Sequence, residues 1–194
     1  MNSIRNNDSY KKEDLEIIQY GLETIYIFVT KFIIISSLAI LLGVFKEYII
    51  FLLIYNIIRT PSFGLHATKS WICSVASSII FILVPIIAKT IIMNNIIKIL
   101  IGCYCIIRMY QNAPADTEKR PIVNPKRRLM FKYISTLIAI IMVTTSLIIK
   151  DTFLSNSFLL TLVVQTFMIS PYVYKLFGLK YNNYLTYLNQ NNSI

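Results

Sequence analysis

The sequence predicts an all-α polytopic membrane protein, and three observations carry that expectation. The hydrophobic fraction is 56%, mean hydropathy is +0.62 and charged residues fall to 14% of 194 residues, far from the balance of a soluble domain. The apolar residues gather in about six runs, the pattern of helices that cross a bilayer. The positive residues behind the net charge of +10 cluster between those runs. There they set topology and meet anionic lipid or peptide rather than forming a nucleic-acid surface. A single membrane-embedded domain over residues 1–194 is expected.

The first ten residues are polar, and no cleavable signal peptide is read there. Leu15, Ile18, Leu22 and Ile25 then recur at spacings of three and four, with Lys11, Lys12, Glu13, Glu16 and Glu23 around them. That spacing predicts an amphipathic interfacial helix within residues 1–24, ahead of the first span. A solvated helix start running straight into the span fits equally well. Glu23 and Lys31, at and inside the span, are candidate site residues because charge at membrane depth faces protein or water.

The runs cover about residues 25–45, 48–58, 71–88, 91–107, 129–149 and 153–177. A span needs roughly 20 apolar residues, or about 17 at the short end. The second run falls short, so it must borrow from residues 59–69 or dip only part-way into the bilayer. Irregular backbone at that depth is tolerated where protein or a wet cavity surrounds it. If the runs alternate across the membrane, Lys46, Lys89, Lys98 and Lys150 lie on one side and most other Lys and Arg on the opposite side. Both termini, the stretch 59–73, the basic loop 108–128 and the tail 178–194 are then cytoplasmic. A four-span chain with two re-entrant segments gives the same sidedness. The connections on the other face, Lys46-Glu47, Lys89-Thr90 and Lys150-Asp151, are too short to build a site.

The stretch 59–73 interrupts two apolar runs and holds the sole histidine, His66, with Cys73 seven residues later. A thiol needs a nearby base to become a nucleophile, which makes the two a candidate pair. In one straight helix they would stand about 10 Å apart along the axis, at roughly 1.5 Å per residue. A base must come within about 3 Å of the proton it takes. The pairing therefore predicts a helix break between them, with Ser70 or Thr68 capping the third span. Cys73 would then lie in the first turn, where the helix dipole favours a thiolate and backbone N–H groups meet an oxyanion. Each residue also has a quieter reading: His66 as an interfacial side chain and Cys73 as filler in an apolar run.

Arg59 at a span end either snorkels or holds a carboxylate, from Asp116 or from a substrate. Gly64 after Pro61 permits a positive φ or a close approach of backbone. Cys103 and Cys105 lie in an apolar run and read as packing, and one histidine with scattered cysteines forms no metal set, so no metal or cofactor is expected.

Three blocks resemble the accessory gene regulator B family of Gram-positive quorum-sensing systems. They are Arg59 followed by Gly64-Leu65-His66-Ala67 and Cys73; residues 113–122 from Ala113-Pro114-Ala115-Asp116 to Lys119-Arg120-Pro121-Ile122; and, more weakly, Gln19-Tyr20-Gly21-Leu22-Glu23. The order and spacing agree from about residue 15 to 175. Family members often show a Gly-Gly pair before the histidine, whereas Phe63 stands here and leaves Gly64 to carry the turn.

The resemblance implies a membrane cysteine endopeptidase acting on an AgrD-type precursor, with Cys73 as nucleophile, His66 as base, and Arg59 and Gly64 in support. It implies removal of a C-terminal tail through a Cys73 thioester, and closure of a thiolactone or lactone by the precursor's own nucleophile. Asp116 is a candidate for orienting His66, and Ser70 for capping the helix that carries Cys73. Lys119, Arg120, Lys126, Arg127 and Arg128 would receive an acidic tail, besides setting topology. Membrane lipid and a homodimer are the other expected partners; nucleic acid is not. The rival readings are a small transporter or peptide exporter in which His66 and Cys73 do no chemistry, and a membrane assembly factor.

Overall fold

In the computed structural model, residues 12–65, 70–117 and 121–186 are described, and they are almost entirely helical. Two units are distinguished, residues 1–43 and 44–194. Within the first, the described residues hold one 30-residue helix, α1 (Lys12–Leu41). No proline interrupts it, so the amphipathic start and the first apolar run form one unbroken element rather than an interfacial helix followed by a span. It stops where Gly43 takes φ 68° and donates its N–H to the Ile40 carbonyl, a left-handed C-terminal cap.

The second unit is a bundle of α2 (Phe45–Ser62), α3 (Ser70–Thr90), α4 (Asn95–Asn112), α5 (Pro125–Ile148), α6 (Thr152–Met168) and the short α7 (Pro171–Leu176). Local chemistry fixes several starts. Asn94 accepts from the Ile96 N–H, Asn124 from those of Lys126 and Arg127, and Asp151 from that of Leu154. Pro125 follows Asn124 at the first helical position, where its missing N–H costs nothing.

Helix α6 packs against α2, α3, α4 and α5. Its buried residues include Ser155, Asn156, Ser157, Thr161, Gln165 and Thr166, while Ile96, Leu100, Leu137 and Ile141 on its neighbours point outward and exposed. Hydroxyls and amides inside with aliphatic side chains outside is the arrangement of helices that pack within lipid. The apolar core between them is built from Ile54, Ile58, Cys105, Met109, Ala139, Met142 and Leu162. By length and composition, α5 is long and apolar enough to cross a membrane; the other apolar helical stretches described, such as Ser74–Thr90 and Thr152–Met168, are shorter.

The short second run borrows a turn, as its length required, since α2 continues through Pro61 to Ser62. Other expectations change. Lys46 and Glu47 belong to the first turn of α2 and not to a connection, and Glu47 pairs with Lys89 at 2.5 Å. Lys98, expected as an outward topology charge, is buried in α4 with Nζ 2.6 Å from Ser155 Oγ. The last run is not one helix. It breaks at Ile169-Ser170, because the residue before Pro171 is pushed out of helical geometry.

Candidate functional site

Arg59 lies one turn from the end of α2. Its guanidinium turns back onto the chain that follows: Nη1 donates to the Phe63 carbonyl at 2.6 Å, and Nη2 to those of Gly64 at 3.2 Å and Leu65 at 2.8 Å. A planar fork of donors is what can hold consecutive carbonyls at once. These oxygens, and not a protein carboxylate, are where the Arg59 charge goes.

The rest of the turn is equally accounted for. Phe63 N–H donates to the Arg59 carbonyl, Gly64 N–H to Ala115, and Leu65 N–H to Met168, while Ala115 N–H donates to Ser62. Phe63 and Ala115 thus form a short parallel bridge. Gln165 Nε2 adds bonds to the Phe63 carbonyl at 2.7 Å and to Ser62 Oγ at 2.6 Å. The break at Pro171 frees the Met168 carbonyl, which a continuous helix would have used internally. Every backbone N–H and C=O of residues 63–65 therefore has a partner, as buried backbone requires.

Phe63 takes φ 56° and ψ −133°, and Gly64 φ 116°. Gly64 does not carry the turn alone; Phe63 itself occupies a conformation that glycine prefers, at a cost of about 1–3 kcal/mol. Its ring packs edge-on against Phe131, with centroids 5.2 Å apart. Gly64 has no room for a side chain. A Cβ there would lie 2.5 Å from Arg59 Nη1 and 3.0 Å from the Met168 carbonyl oxygen.

Asp116 follows Ala115 and is 1% exposed. One carboxylate oxygen accepts from the Asn183 N–H at 3.1 Å; the other accepts from Tyr184 N–H at 3.0 Å and Ile122 N–H at 3.3 Å. Arg128 Nη1 stands 3.6 Å from the same group, and the Arg128 guanidinium lies over the Tyr184 ring at 3.7 Å. Asp116 thereby ties the loop to α5 and to the C-terminal segment. Tyr174 donates its hydroxyl to the Ala115 carbonyl at 3.2 Å, the same carbonyl that accepts from Gly64 N–H.

A cavity of about 640 Å³ opens beside this turn. Arg59, Thr60, Phe63 and Gly64 line one side; Thr117, Pro121, Ile122, Val123, Asn124, Arg127 and Phe131 line the other. A smaller apolar recess of about 380 Å³ between α4 and α6 includes Cys105, which sits in the core as packing would have it. Cys103 is exposed.

Among the predicted site residues, the structure brings Arg59 and Gly64 into direct contact and joins them through Ala115 to Asp116. Arg127 reaches the cavity mouth, while Lys126 is exposed beyond it. His66, Lys119 and Arg120 lie outside the described residues, as do the side chains of Ser70, Cys73 and Glu23. The backbone of Cys73 is described, in the first turn of α3. α3 is described from Ser70 onward, and Thr68, the other candidate cap, lies outside the described residues. Gln165, Ala115 and the Met168 carbonyl were not foreseen as parts of the site. Pro171 was the one signal in the sequence that pointed toward Met168.

A family model described as accessory gene regulator B matches residues 1–169. An AgrB-like protein of Clostridium acetobutylicum is 31% identical over 184 residues, 94% of this chain and 88% of the relative. One from Listeria innocua is 33% identical over 170 residues, covering 88% and 83%. The accessory gene regulator protein B of Staphylococcus aureus strain Newman is 30% identical over 149 residues, covering 74% and 78%. No solved structure matches the chain.

Proposed function

The chain belongs to the accessory gene regulator B family, and on that premise we propose that it is a membrane-embedded cysteine endopeptidase that processes an AgrD-type precursor peptide. The observation that carries the reading is the Arg59 fork on residues 63–65. A charged side chain of a bundle helix is committed to fixing the exact backbone that leads into His66, with the Leu65 carbonyl held directly. A residue with no task beyond packing needs no such anchor. The start of α3 at Ser70 supports the second half, since it gives Cys73 a first-turn position where the helix dipole favours a thiolate.

In this reading His66 takes the proton of Cys73, and the thiolate sulfur attacks the carbonyl carbon of the scissile peptide bond. The C–N bond breaks, His66 returns the proton to the departing amine, and the acidic tail leaves. The remaining acyl group is a thioester on Cys73. A Cys or Ser side chain of the same precursor then gives its proton to His66 and attacks that thioester. The bond to Cys73 breaks and a thiolactone or lactone ring closes. This exchange is favoured over hydrolysis when water is excluded and the second nucleophile is held close. The charge distribution supports a cytoplasmic site with both termini on the same side, and an amphipathic precursor would partition into that leaflet.

Purified protein in lipid nanodiscs with a fluorescent precursor tests the proposal. Cys73→Ala should abolish tail release, and intact mass should reveal an acyl adduct on the active chain. Undiminished cleavage by a folded Cys73→Ala protein would remove the catalytic assignment and leave a transporter or scaffold.

A further inference from the structure

The cavity beside the Phe63–Gly64 turn has the composition of a specificity pocket, and the inference rests on the peptidase reading above. We propose that it receives a bulky apolar, preferably aromatic, side chain of the peptide within two residues of the scissile bond, while Arg127 at its mouth receives a neighbouring substrate carboxylate.

Three observations lead there. The first is position. Gly64 lies in the cavity wall and is two residues from His66, so their Cα atoms are at most about 7 Å apart at roughly 3.6 Å per residue. A peptide presented to His66 passes this wall within two of its own residues. The second is shape and surface. A cavity of about 640 Å³ takes two or three peptide residues, and its aromatic walls are Phe63 and Phe131, already set edge to face with Ile122 beside them. Sites of that size with apolar walls and a few fixed polar groups are typical ligand pockets. The Phe63 ring is held there by a strained backbone, so its orientation is pre-set and not chosen on binding.

The third is charge. Arg59 and Arg127 both line the cavity, and among the described residues no carboxylate does. Arg59 is committed to backbone carbonyls, whereas Arg127 is exposed, with its guanidinium 5.6 Å from the Phe131 ring centroid. A cation resting on an aromatic wall keeps its outward donors for a bidentate carboxylate. Asp116 lies behind the loop with its oxygens occupied, so it does not neutralise this rim.

The test uses full-length protein carrying Cys73→Ala in lipid nanodiscs, which reads binding without chemistry. Fluorescent precursor peptides carry Phe, Leu, Ala or Asp at the position before the scissile bond, with Glu or Gln at the position after it. Anisotropy is corrected with empty nanodiscs. The Phe peptide should bind at least about tenfold more tightly than the Ala peptide. Phe131→Ala should reduce that ratio to near one, and Phe131→Leu should retain part of it, with size-exclusion profiles establishing that both variants fold. Arg127→Gln should weaken the Glu peptide several-fold and leave the Gln peptide unchanged. Equal binding of the Phe and Ala peptides, or a ratio indifferent to Phe131→Ala, would overturn the pocket. Absence of cleavage by the unmodified enzyme would sink the peptidase reading instead, and the binding ratios would still decide this one.

Discussion

Arg59 Nη1 donates to the carbonyl of Phe63 at 2.6 Å, four residues further along the same chain. The same guanidinium takes the carbonyls of Gly64 and Leu65 through Nη2, so one side chain fixes three successive peptide groups. Lysine offers a single point of donation and cannot reproduce this fork. On the peptidase function proposed above, Arg59→Lys should therefore keep the positive charge yet lower precursor cleavage by roughly 10- to 100-fold, the range expected when positioning of catalytic groups is lost. Initial-rate measurements in nanodiscs check this. An Arg59→Lys enzyme with full activity would mean that charge alone matters.

The turn that Arg59 holds makes a second expectation unusual in sign. Alanine is normally better tolerated than glycine, because glycine gives up more chain entropy on folding. At Phe63 the positive φ reverses the order. Phe63→Gly should therefore melt above Phe63→Ala, by about 1 kcal/mol of apparent stability, although both lose the contact with Phe131. At Gly64 the same logic runs against any side chain. Gly64→Ala places Cβ 2.5 Å from Arg59 Nη1 and should cost about 2–3 kcal/mol. Thermal unfolding in one detergent compares all three.

These residues also show what could be read from the sequence. Apolar runs located the helices, since a helix of this bundle needs apolar side chains to pack and to cover its outer face. The shortfall in the second run correctly signalled that the chain after Ile58 had another use: α2 takes one more turn and then the 63–65 turn begins. The partner of Arg59 was not legible. A guanidinium accepts any oxygen, and a carboxylate such as Asp116 was the more obvious candidate than three neutral carbonyls. Nor could the partners of Asp116 be seen, because Asn183 and Tyr184 lie 67 and 68 residues away. Their contribution is a backbone N–H, which every residue but proline carries.

Asp116 consequently behaves as a clamp. Its carboxylate accepts from three backbone N–H groups and faces Arg128. Asp116→Asn removes the charge and puts an NH₂ where one acceptor stood, leaving at least one buried N–H without a partner, at a cost of about 1–3 kcal/mol. The loosening should be local. Hydrogen exchange should accelerate at Asn183 and Tyr184 while the α5–α6 core stays protected. Uniformly faster exchange across the bundle would instead show that Asp116 supports the whole fold.

On the opposite face the Glu47–Lys89 pair sets a pH dependence. The hydrogen bond from Lys89, aided by a backbone hydrogen bond and the charges of Lys89 and Lys46, holds the Glu47 carboxyl below its ordinary value of 4.5. A carboxyl with a lowered folded-state pKa contributes stability above its unfolded value, and that contribution disappears as pH falls through the folded one. The Lys89 side chain is 57% exposed, so solvent screening keeps the pair to about 0.2–1 kcal/mol. The difference in apparent melting temperature between the native chain and Glu47→Gln should be constant at pH values above the ordinary carboxyl range and should shrink as pH falls below it. It should vanish only once the folded-state carboxyl is itself protonated. A difference that persists in acid would assign the effect to packing.

Lys98 presents the opposite problem, a buried cation with no counter-ion among the described residues. It is 7% exposed, its ammonium donates to Ser155 Oγ at 2.6 Å, and Ser155 Oγ in turn makes a short bond to the Ser146 carbonyl. Among the described residues no carboxylate lies within ion-pair distance of it. Removing the charge removes its desolvation penalty, so Lys98→Met, similar in length and apolar, should leave the apparent melting temperature unchanged or raise it. Ser155→Ala should lower it, because the ammonium stays buried and loses the hydroxyl, at a cost of about 1–3 kcal/mol. The decisive measurement is the double variant. With Lys98→Met already in place, the Ser155→Ala change should cost far less, since the group left stranded is gone. Additive losses would mean that Ser155 acts through α5–α6 packing alone.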